Sequence, residues 1–169
     1  MVLKSVAGWL SPAGSSARLS ILIFHRVLPA QDPLFPDEMH AHHFDAVCGW
    51  LKQWFNVLPL DAAVRHLKAG SLPARAACIT FDDGYADNHH VAMPILQRHG
   101  MTATFFIATG FLDGGRMWND TIIESIRACN QSVLDLSSLA LDRHVIVSFS
   151  EKKAAIAKQI GRASCRERV

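Results

Sequence analysis

The residues that constrain this chain most are 76–85, where an apolar run ends abruptly on two adjacent carboxylates and a glycine. Residues 76–81 are mostly small, apolar or β-branched, which predicts a buried strand of a parallel sheet. Asp82 and Asp83 then lie at the carboxyl end of this strand. Open α/β sheets and α/β barrels hold ligands and catalytic groups at that edge, because the loops there vary while the strands stay packed. The position of the two acids therefore indicates a functional site.

The chemistry of this site follows from the repulsion between the two acids. Asp82 and Asp83 repel each other unless a cation or a proton lies between them or they perform different tasks. A divalent metal bound by one would remove the repulsion and leave the other free to act as a base. Gly84 permits a positive φ or a close backbone approach directly after the acids. The alternative is a solvated turn, because Asp-Asp-Gly is a common turn composition.

The length and charge of the chain limit its class. Its 169 residues, of which 50% are hydrophobic, suffice for one globular domain with a sizeable core. The net charge of +2 conceals a basic end, since residues 151–169 carry six Lys or Arg and two Glu, which leaves residues 1–150 at −2. A body without a basic stripe argues against a nucleic-acid partner. The four cysteines show no CxxC spacing and are interpreted as small buried hydrophobic residues.

The two ends of the chain are expected to lie outside the core. Residues 1–19 are rich in Ser, Ala and Gly and are predicted to be peripheral. Residues 1–14 make a poor secretory signal, and their weakly apolar stretch is too short to span a membrane, so we expect no transmembrane segment and a cytoplasmic or membrane-adjacent location. Residues 161–169 have no apolar face and resemble the translated read-through of a sequencing adapter, which predicts a non-native tail over residues 159–169. The predicted domain therefore covers residues 20–158.

Hydrophobic periodicity predicts alternating strands and helices around the central strand. The predicted order is strand 21–24, helix 42–55, short strand 56–59, helix 61–70, strand 76–81, helix 86–99, strand 102–108, helix 121–129, strands 133–136 and 145–149, and helix 151–158. A strand, helix, strand unit of this length should be right-handed and parallel, so the fold class is α/β. Because strand 21–24 should neighbour strand 76–81, we predict that His25 lies beside Asp82 and Asp83.

The strand at residues 102–108 carries a prediction about the core. Side chains alternate between the two faces of a strand, so Phe105 and Phe106 should lie on opposite faces. One is expected in the centre of the sheet and the other beneath the helices. Both should then be largely buried.

Three short motifs together resemble the polysaccharide deacetylases, the carbohydrate esterases that contain a NodB homology domain. They are T-F-D-D-G at residues 80–84, A-T-F-F-I at residues 103–107 and F-H-R at residues 24–26. The resemblance implies a partial, distorted (β/α) barrel with a parallel sheet. It implies hydrolysis of an N-acetyl or O-acetyl group on a polysaccharide or oligosaccharide. Residues 20–158 would be the N-terminal part of such a domain.

The resemblance also assigns roles to individual residues. It implies that Asp82 is the general base and that Asp83 is a ligand of a divalent metal, often zinc, which activates water. His25, Tyr85 and Trp118 are possible site-lining residues, and the Tyr85 backbone N–H is a candidate oxyanion donor. No two histidines are four residues apart, so the H-x-x-x-H metal motif of the family is absent. The remaining histidine ligands are expected downstream, and the catalytic domain is expected to be truncated.

Two other functions compete with deacetylation. Magnesium-dependent phosphoryl transfer would need a phosphate-binding glycine loop or a lysine at the sheet edge, and neither is found. A non-catalytic carbohydrate-binding or scaffolding remnant would use Tyr85 and Trp118 to stack on sugar rings, although both could be ordinary core or rim residues. The glycan and the preference for N- or O-acetyl groups are not encoded in any recognisable motif.

Overall fold

The computed structural model of the protein describes residues 11–166. Within this range the chain divides into two compact units. Residues 11–31 and 37–108 form the first unit, and residues 32–36 and 109–166 form the second. Nothing in the sequence pattern signals a division after residue 108.

The first unit alternates strands and helices, as the periodicity predicted. Its elements are β1 (Leu19–Phe24), α1 (Ala41–Trp54), β2 (Asn56–Val57), α2 (Leu60–Lys68), β3 (Ala76–Phe81), a π-helical turn (Asn88–Ala92) that continues into α3 (Met93–His99), and β4 (Thr104–Phe105). Pro94 lies in the first turn of α3, directly after the π-helical turn. Gly100 ends that helix in the left-handed conformation.

β3 is the central strand of a parallel sheet. β1 pairs with it along its whole length, from Leu19 opposite Ala76 to Phe24 opposite Phe81. β2 and β4 therefore share the other side of β3, with β2 at its amino end and β4 at its carboxyl end. All six residues of β3 are buried, as expected for a strand with parallel neighbours on both sides. The predicted α/β class and the parallel neighbours of β3 are confirmed.

Four phenylalanines pack beneath the carboxyl end of β3. The ring of Phe81 stacks on Phe24 and Phe105, with centroids 5.4 and 5.0 Å away. Phe44 from α1 meets Phe81 edge-on at 5.8 Å, and both side chains are fully buried. Because Phe81 directly precedes Asp82, the acidic turn begins on a closely packed part of the core.

The prediction for Phe105 and Phe106 is only half correct. Phe105 packs against the core, but the side chain of Phe106 is 51% exposed. The strand is also shorter than the predicted 102–108, because β4 pairs only with Thr80 and Phe81 before β3 ends. Among the described strands, β3 alone pairs with β4, and their pairing stops after the bond that the Phe106 N–H donates to the Phe81 carbonyl.

The second unit contains two helices and a hairpin. Its elements are a 3₁₀ turn (Thr109–Phe111), α4 (Trp118–Ala128), β5 (Val133–Asp135), a second 3₁₀ turn (Ser137–Leu139), β6 (Arg143–Val145) and α5 (Phe149–Arg166). β5 and β6 pair antiparallel, so the hairpin does not extend the parallel ladder. Across residues 11–166, none of the helices combines the length and the apolar character that a membrane crossing requires.

The predicted strand at 145–149 is wrong because a helix cap occupies its second half. The hydroxyl of Ser148 accepts the N–H of Glu151 at 3.3 Å, and the Glu151 carboxylate accepts the Ser148 N–H at 2.8 Å. This reciprocal pair is a capping box, which starts α5 at Phe149. α5 also runs beyond residue 158, where the helix was predicted to end.

A short upstream segment is anchored in the second unit by Asp32. Both nitrogens of the Arg127 fork donate to its carboxylate, at 2.9 and 2.7 Å, and the Leu34 N–H donates at 2.9 Å. Leu34 is itself buried in an apolar cluster with Ile126 and Ile156. These donors, the Arg127 side chain above all, hold the pKa of Asp32 below its ordinary value.

The stabilisation by Asp32 is expected to disappear in acid. Since its folded-state pKa lies below the ordinary value of 3.8, the carboxylate stabilises the fold above that pH and stops doing so as the pH falls through the folded pKa. We expect Asp32→Asn to lower the free energy of unfolding by about 2 kcal/mol at pH 7 and by much less near pH 2. Urea titrations across this range measure the difference. If the difference in free energy of unfolding between the wild type and Asp32→Asn did not change with pH, the stabilisation would not come from the charge of Asp32.

Candidate active site

Three segments of the first unit meet where β3 ends. The backbone N–H of Asp82 donates to the Phe24 carbonyl at 2.9 Å, and the Phe106 N–H donates to the Phe81 carbonyl at 2.7 Å. His25 directly follows Phe24, so its backbone lies beside that of Asp82 across strands about 4.8 Å apart. His25 is exposed, while Asp82 is half-buried. The proximity of their side chains stays a prediction.

The two acids lie on a strained turn. Asp83 has a φ of +72°, and the Gly84 N–H donates to the Asp82 carbonyl at 2.9 Å. A hydrogen bond between residues i and i+2, with a positive φ at the residue between them, is the rarer and strained form of the γ-turn. Such a conformation costs a non-glycine residue about 1–3 kcal/mol and is concentrated at functional sites. Asp83 is one of three described non-glycine residues with a positive φ, with Arg75 and Ala140, and it is the one to which the motif resemblance assigns the metal.

Gly84 is required at the next position for two independent reasons. Its φ is +75°, which side chains other than glycine rarely adopt. A Cβ built at this position would also lie 2.9 Å from Cγ2 of Ile107 and 3.3 Å from its Cα. The chain after β4 thus packs directly on the turn, and the Ala108 N–H donates to the Asp83 carbonyl at 3.2 Å.

Gly84→Ala is expected to destabilise the first unit by about 2–4 kcal/mol, the sum of left-handed strain and overpacking. Gly100→Ala is the matched control, because Gly100 has a φ of +67° but no atom within 4 Å of its missing Cβ. It should cost only about 1 kcal/mol. Adding Ile107→Ala should recover part of the Gly84→Ala loss. Equal unfolding free energies for the two alanine variants would show that Ile107 does not restrict the turn.

An ion pair that the sequence reasoning missed lies next to this turn. Nε of Arg26 donates to Oδ2 of Asp87 at 2.9 Å, and the Val27 N–H donates to Oδ1 at 3.2 Å. The Arg26 guanidinium also lies 4.5 Å from the ring centroid of Tyr85. A signal was present in the sequence: opposite charges follow two strands that were predicted to be parallel neighbours. We name Arg26 and Asp87 the clasp.

The remaining predicted site residues lie in different units. Tyr85 is half-buried in the first unit, and the Arg26 guanidinium covers one face of its ring. Trp118 is the first residue of α4 in the second unit, with a 40% exposed side chain. Stacking of a sugar ring on Tyr85 would therefore have to use the other face or displace Arg26.

The buried thiols do not supply a nucleophile to this site. Burial raises the pKa of Cys78 on β3, and it raises the pKa of Cys48 on α1 to about 11. Only the thiolate is nucleophilic, so both cysteines are inert at neutral pH. The reactive groups of the site are therefore the carboxylates.

The described residues do not form a complete metal site. Within residues 11–166, no three His, Cys, Asp or Glu side chains lie close enough together to hold a metal ion. A catalytic zinc takes about three protein ligands, and Asp83 supplies at most one. The implied zinc therefore does not fit this part of the chain, and we assign no catalytic step to a metal.

Comparisons with known proteins agree with the geometry. Residues 69–163 match the family model for polysaccharide deacetylase. YxkH of Bacillus subtilis (strain 168), which carries the name of a polysaccharide deacetylase, is 31% identical over 93 residues, or 54% of this chain and 32% of that protein. The solved de-N-acetylase from Aggregatibacter actinomycetemcomitans has 29% identity and a TM-score of 0.50, with 57% of this chain and 40% of that chain covered.

A second solved structure supports the fold. The Streptococcus pyogenes deacetylase PplD in complex with acetate has 24% identity and a TM-score of 0.51, with 64% of this chain and 52% of that chain covered. The chain thus spans 32%, 40% and 52% of the lengths of these three proteins. The predicted (β/α) architecture is confirmed by the two solved structures, and the family model covers more than half of the chain. The chain belongs to the polysaccharide deacetylase family.

Proposed function

We propose that the protein to which this chain belongs hydrolyses acetyl groups on a polysaccharide. The observation that carries the proposal is the strained Asp82-Asp83-Gly84 turn at the carboxyl end of the buried strand β3. It lies where α/β folds hold catalytic groups, in a chain of the polysaccharide deacetylase family. The similarity to a de-N-acetylase supports an N-acetyl group as the substrate of this protein.

The reaction is hydrolysis, and Asp82 is the proposed general base. Its carboxylate takes a proton from water while the water oxygen adds to the acetyl carbonyl carbon. The carbon–nitrogen bond then breaks as the nitrogen gains the proton that Asp82 took from water, and acetate and a free amine leave. A half-buried carboxylate at the end of a rigid strand is suited to this task, because its position is fixed before the substrate arrives.

Metal dependence and truncation belong to the same proposal. Asp83 is the proposed ligand of a divalent metal, most simply zinc, and the histidines that complete the site are proposed to lie downstream of residue 158. When bound, the ion would polarise the acetyl carbonyl and lower the pKa of water. His25, Tyr85 and Trp118 are proposed to line the substrate site. Support comes from the short span of the chain relative to its relatives, 32% of YxkH.

The test compares the 169-residue chain with the product of the longest reading frame that contains residues 1–158. We expect acetate release from N-acetylated oligosaccharides, and tight zinc binding by calorimetry, only from the longer protein. O-acetylated oligosaccharides in parallel report the ester preference. Turnover and tight zinc binding by the 169-residue chain would show that it holds a complete site. No turnover by the longer protein on either substrate would overturn the proposed function.

A further inference from the structure

The structure leads us to infer that the clasp, Arg26 and Asp87, positions the catalytic turn for deacetylation. The catalytic consequence rests on the proposed function, whereas the effect on the turn does not. A strained turn persists only where contacts with the surrounding structure hold it in place. The question is therefore what holds Asp83 at a φ of +72°.

Residues 82–87 form a loop that is fastened at both ends to the same segment, residues 24–27. At the first end, the Asp82 N–H donates to the Phe24 carbonyl at 2.9 Å. At the other end, the two carboxylate oxygens of Asp87 accept from Nε of Arg26 at 2.9 Å and from the Val27 N–H at 3.2 Å. The second attachment turns an open strand end into a closed loop.

The clasp is less exposed to solvent than an ordinary surface ion pair, so it restrains the loop more strongly. The Asp87 side chain is only 11% exposed, and that of Arg26 is 37% exposed. A hydrogen bond to a charged group stabilises more than one between neutral groups, and the effect is larger where solvent screens it less. By contrast, the Asp61–Arg65 pair on α2 has a similar distance of 2.8 Å but side chains 70% and 69% exposed.

Arg26 also reaches the middle of the loop. Its guanidinium lies 4.5 Å from the ring centroid of Tyr85, within the distance for a cation–π contact. The same side chain therefore touches the loop at Tyr85 and at Asp87. A lysine at this position would keep the charge but lose the planar group that makes both contacts.

The first arm of the test uses hydrogen–deuterium exchange on the 169-residue chain. Asp87→Asn should raise the exchange rates of the amides at 82–87 by at least about tenfold while those of β3 stay unchanged. Arg26→Lys should give a smaller increase. Asp61→Asn, the matched control, should leave both sets unchanged. Exchange rates at 82–87 that are the same in Asp87→Asn as in the wild type would overturn the inference. An equal increase in the exchange rates of β3 would also overturn it, because it would indicate a merely structural role.

The second arm measures kinetics in the longer protein. A displaced catalytic group lowers kcat, and a misplacement of about 1 Å costs on the order of 100-fold. We expect that loss in kcat for Asp87→Asn, a KM within about threefold of wild type, and partial rescue in Arg26→Lys relative to Arg26→Met. A raised KM at unchanged kcat would overturn the positioning role. If the wild-type longer protein releases no acetate, the proposed function fails, and the exchange arm alone decides whether the clasp holds the turn.

Discussion

Asp82→Asn in the longer protein is expected to lower kcat for acetate release by about 10³-fold. The amide has nearly the same size as the carboxylate but cannot take a proton from water. The backbone N–H that Asp82 donates to Phe24 is retained, so the turn should fold normally. Acetate release under saturating substrate measures the effect, and Asp61→Asn on the exposed face of α2 is the control. A rate within tenfold of wild type would show that Asp82 is not the base.

Asp83→Asn separates the roles of the two neighbouring acids. Asparagine tolerates a positive φ better than other side chains, so the γ-turn at Asp83 should survive the substitution. Asp83→Asn should therefore weaken zinc binding with little loss of stability, while Asp82→Asn should keep most of the zinc affinity. Calorimetry on the longer protein distinguishes these results. Equal loss of zinc affinity in both variants would mean that the two carboxylates share one task.

Phe81→Ala is expected to lower the free energy of unfolding of the first unit by about 3–5 kcal/mol. Phe81 is fully buried and contacts three other phenylalanine rings, two of them stacked at 5.0 and 5.4 Å. Its removal leaves a cavity and breaks aromatic pairs, each of which contributes about 0.5–1.5 kcal/mol beyond its buried area. Since small domains are stable by only about 5–15 kcal/mol, this variant should be partly unfolded at ambient temperature.

Phe106→Ala is the matched control for that prediction. Phe106 belongs to the same unit, yet its side chain is 51% exposed. Its truncation should cost less than about 1 kcal/mol. Urea denaturation of both variants measures the contrast. A Phe81→Ala cost as small as that of Phe106→Ala would show that the ring cluster is loosely packed and does not support the turn.

The elements that could be predicted from sequence are those whose signal is local. The apolar run of β3, with two acids and a glycine after it, predicts a buried strand and a turn without any tertiary information. The family motifs at residues 80–84 and 103–107 then lead to the family that the comparison confirms. The capping box of Ser148 and Glu151 was equally local, and the strand prediction at 145–149 failed because that signal was overlooked.

The features that could not be predicted depend on distant partners. Phe106 is exposed because, among the described strands, only β3 pairs with β4. The period-two alternation of a strand does not show how many neighbouring strands it has. The clasp joins residues 61 positions apart, so the local sequence around Arg26 or Asp87 does not show the partner, and only the predicted pairing of the two preceding strands brings the two charges together. The positive φ of Asp83 is likewise uncommon for a residue other than glycine, and no sequence motif signalled it.

The ladder between β1 and β3 also determines when the site forms during folding. Leu19 pairs with Ala76, which closes a chain segment of 57 residues. The length-dependent part of the entropic cost of that closure is about 3.6 kcal/mol, which slows the pairing of the two strands. Helices such as α1 and α2 need no such closure and form from local contacts in about a microsecond. One end of the 82–87 loop binds Phe24 at the end of β1 and the other binds Arg26 and Val27 just after it, so the loop cannot be fixed before this closure. Ordering of the acidic turn should therefore be among the last steps of folding, and on the ribosome it must wait until β3 has emerged.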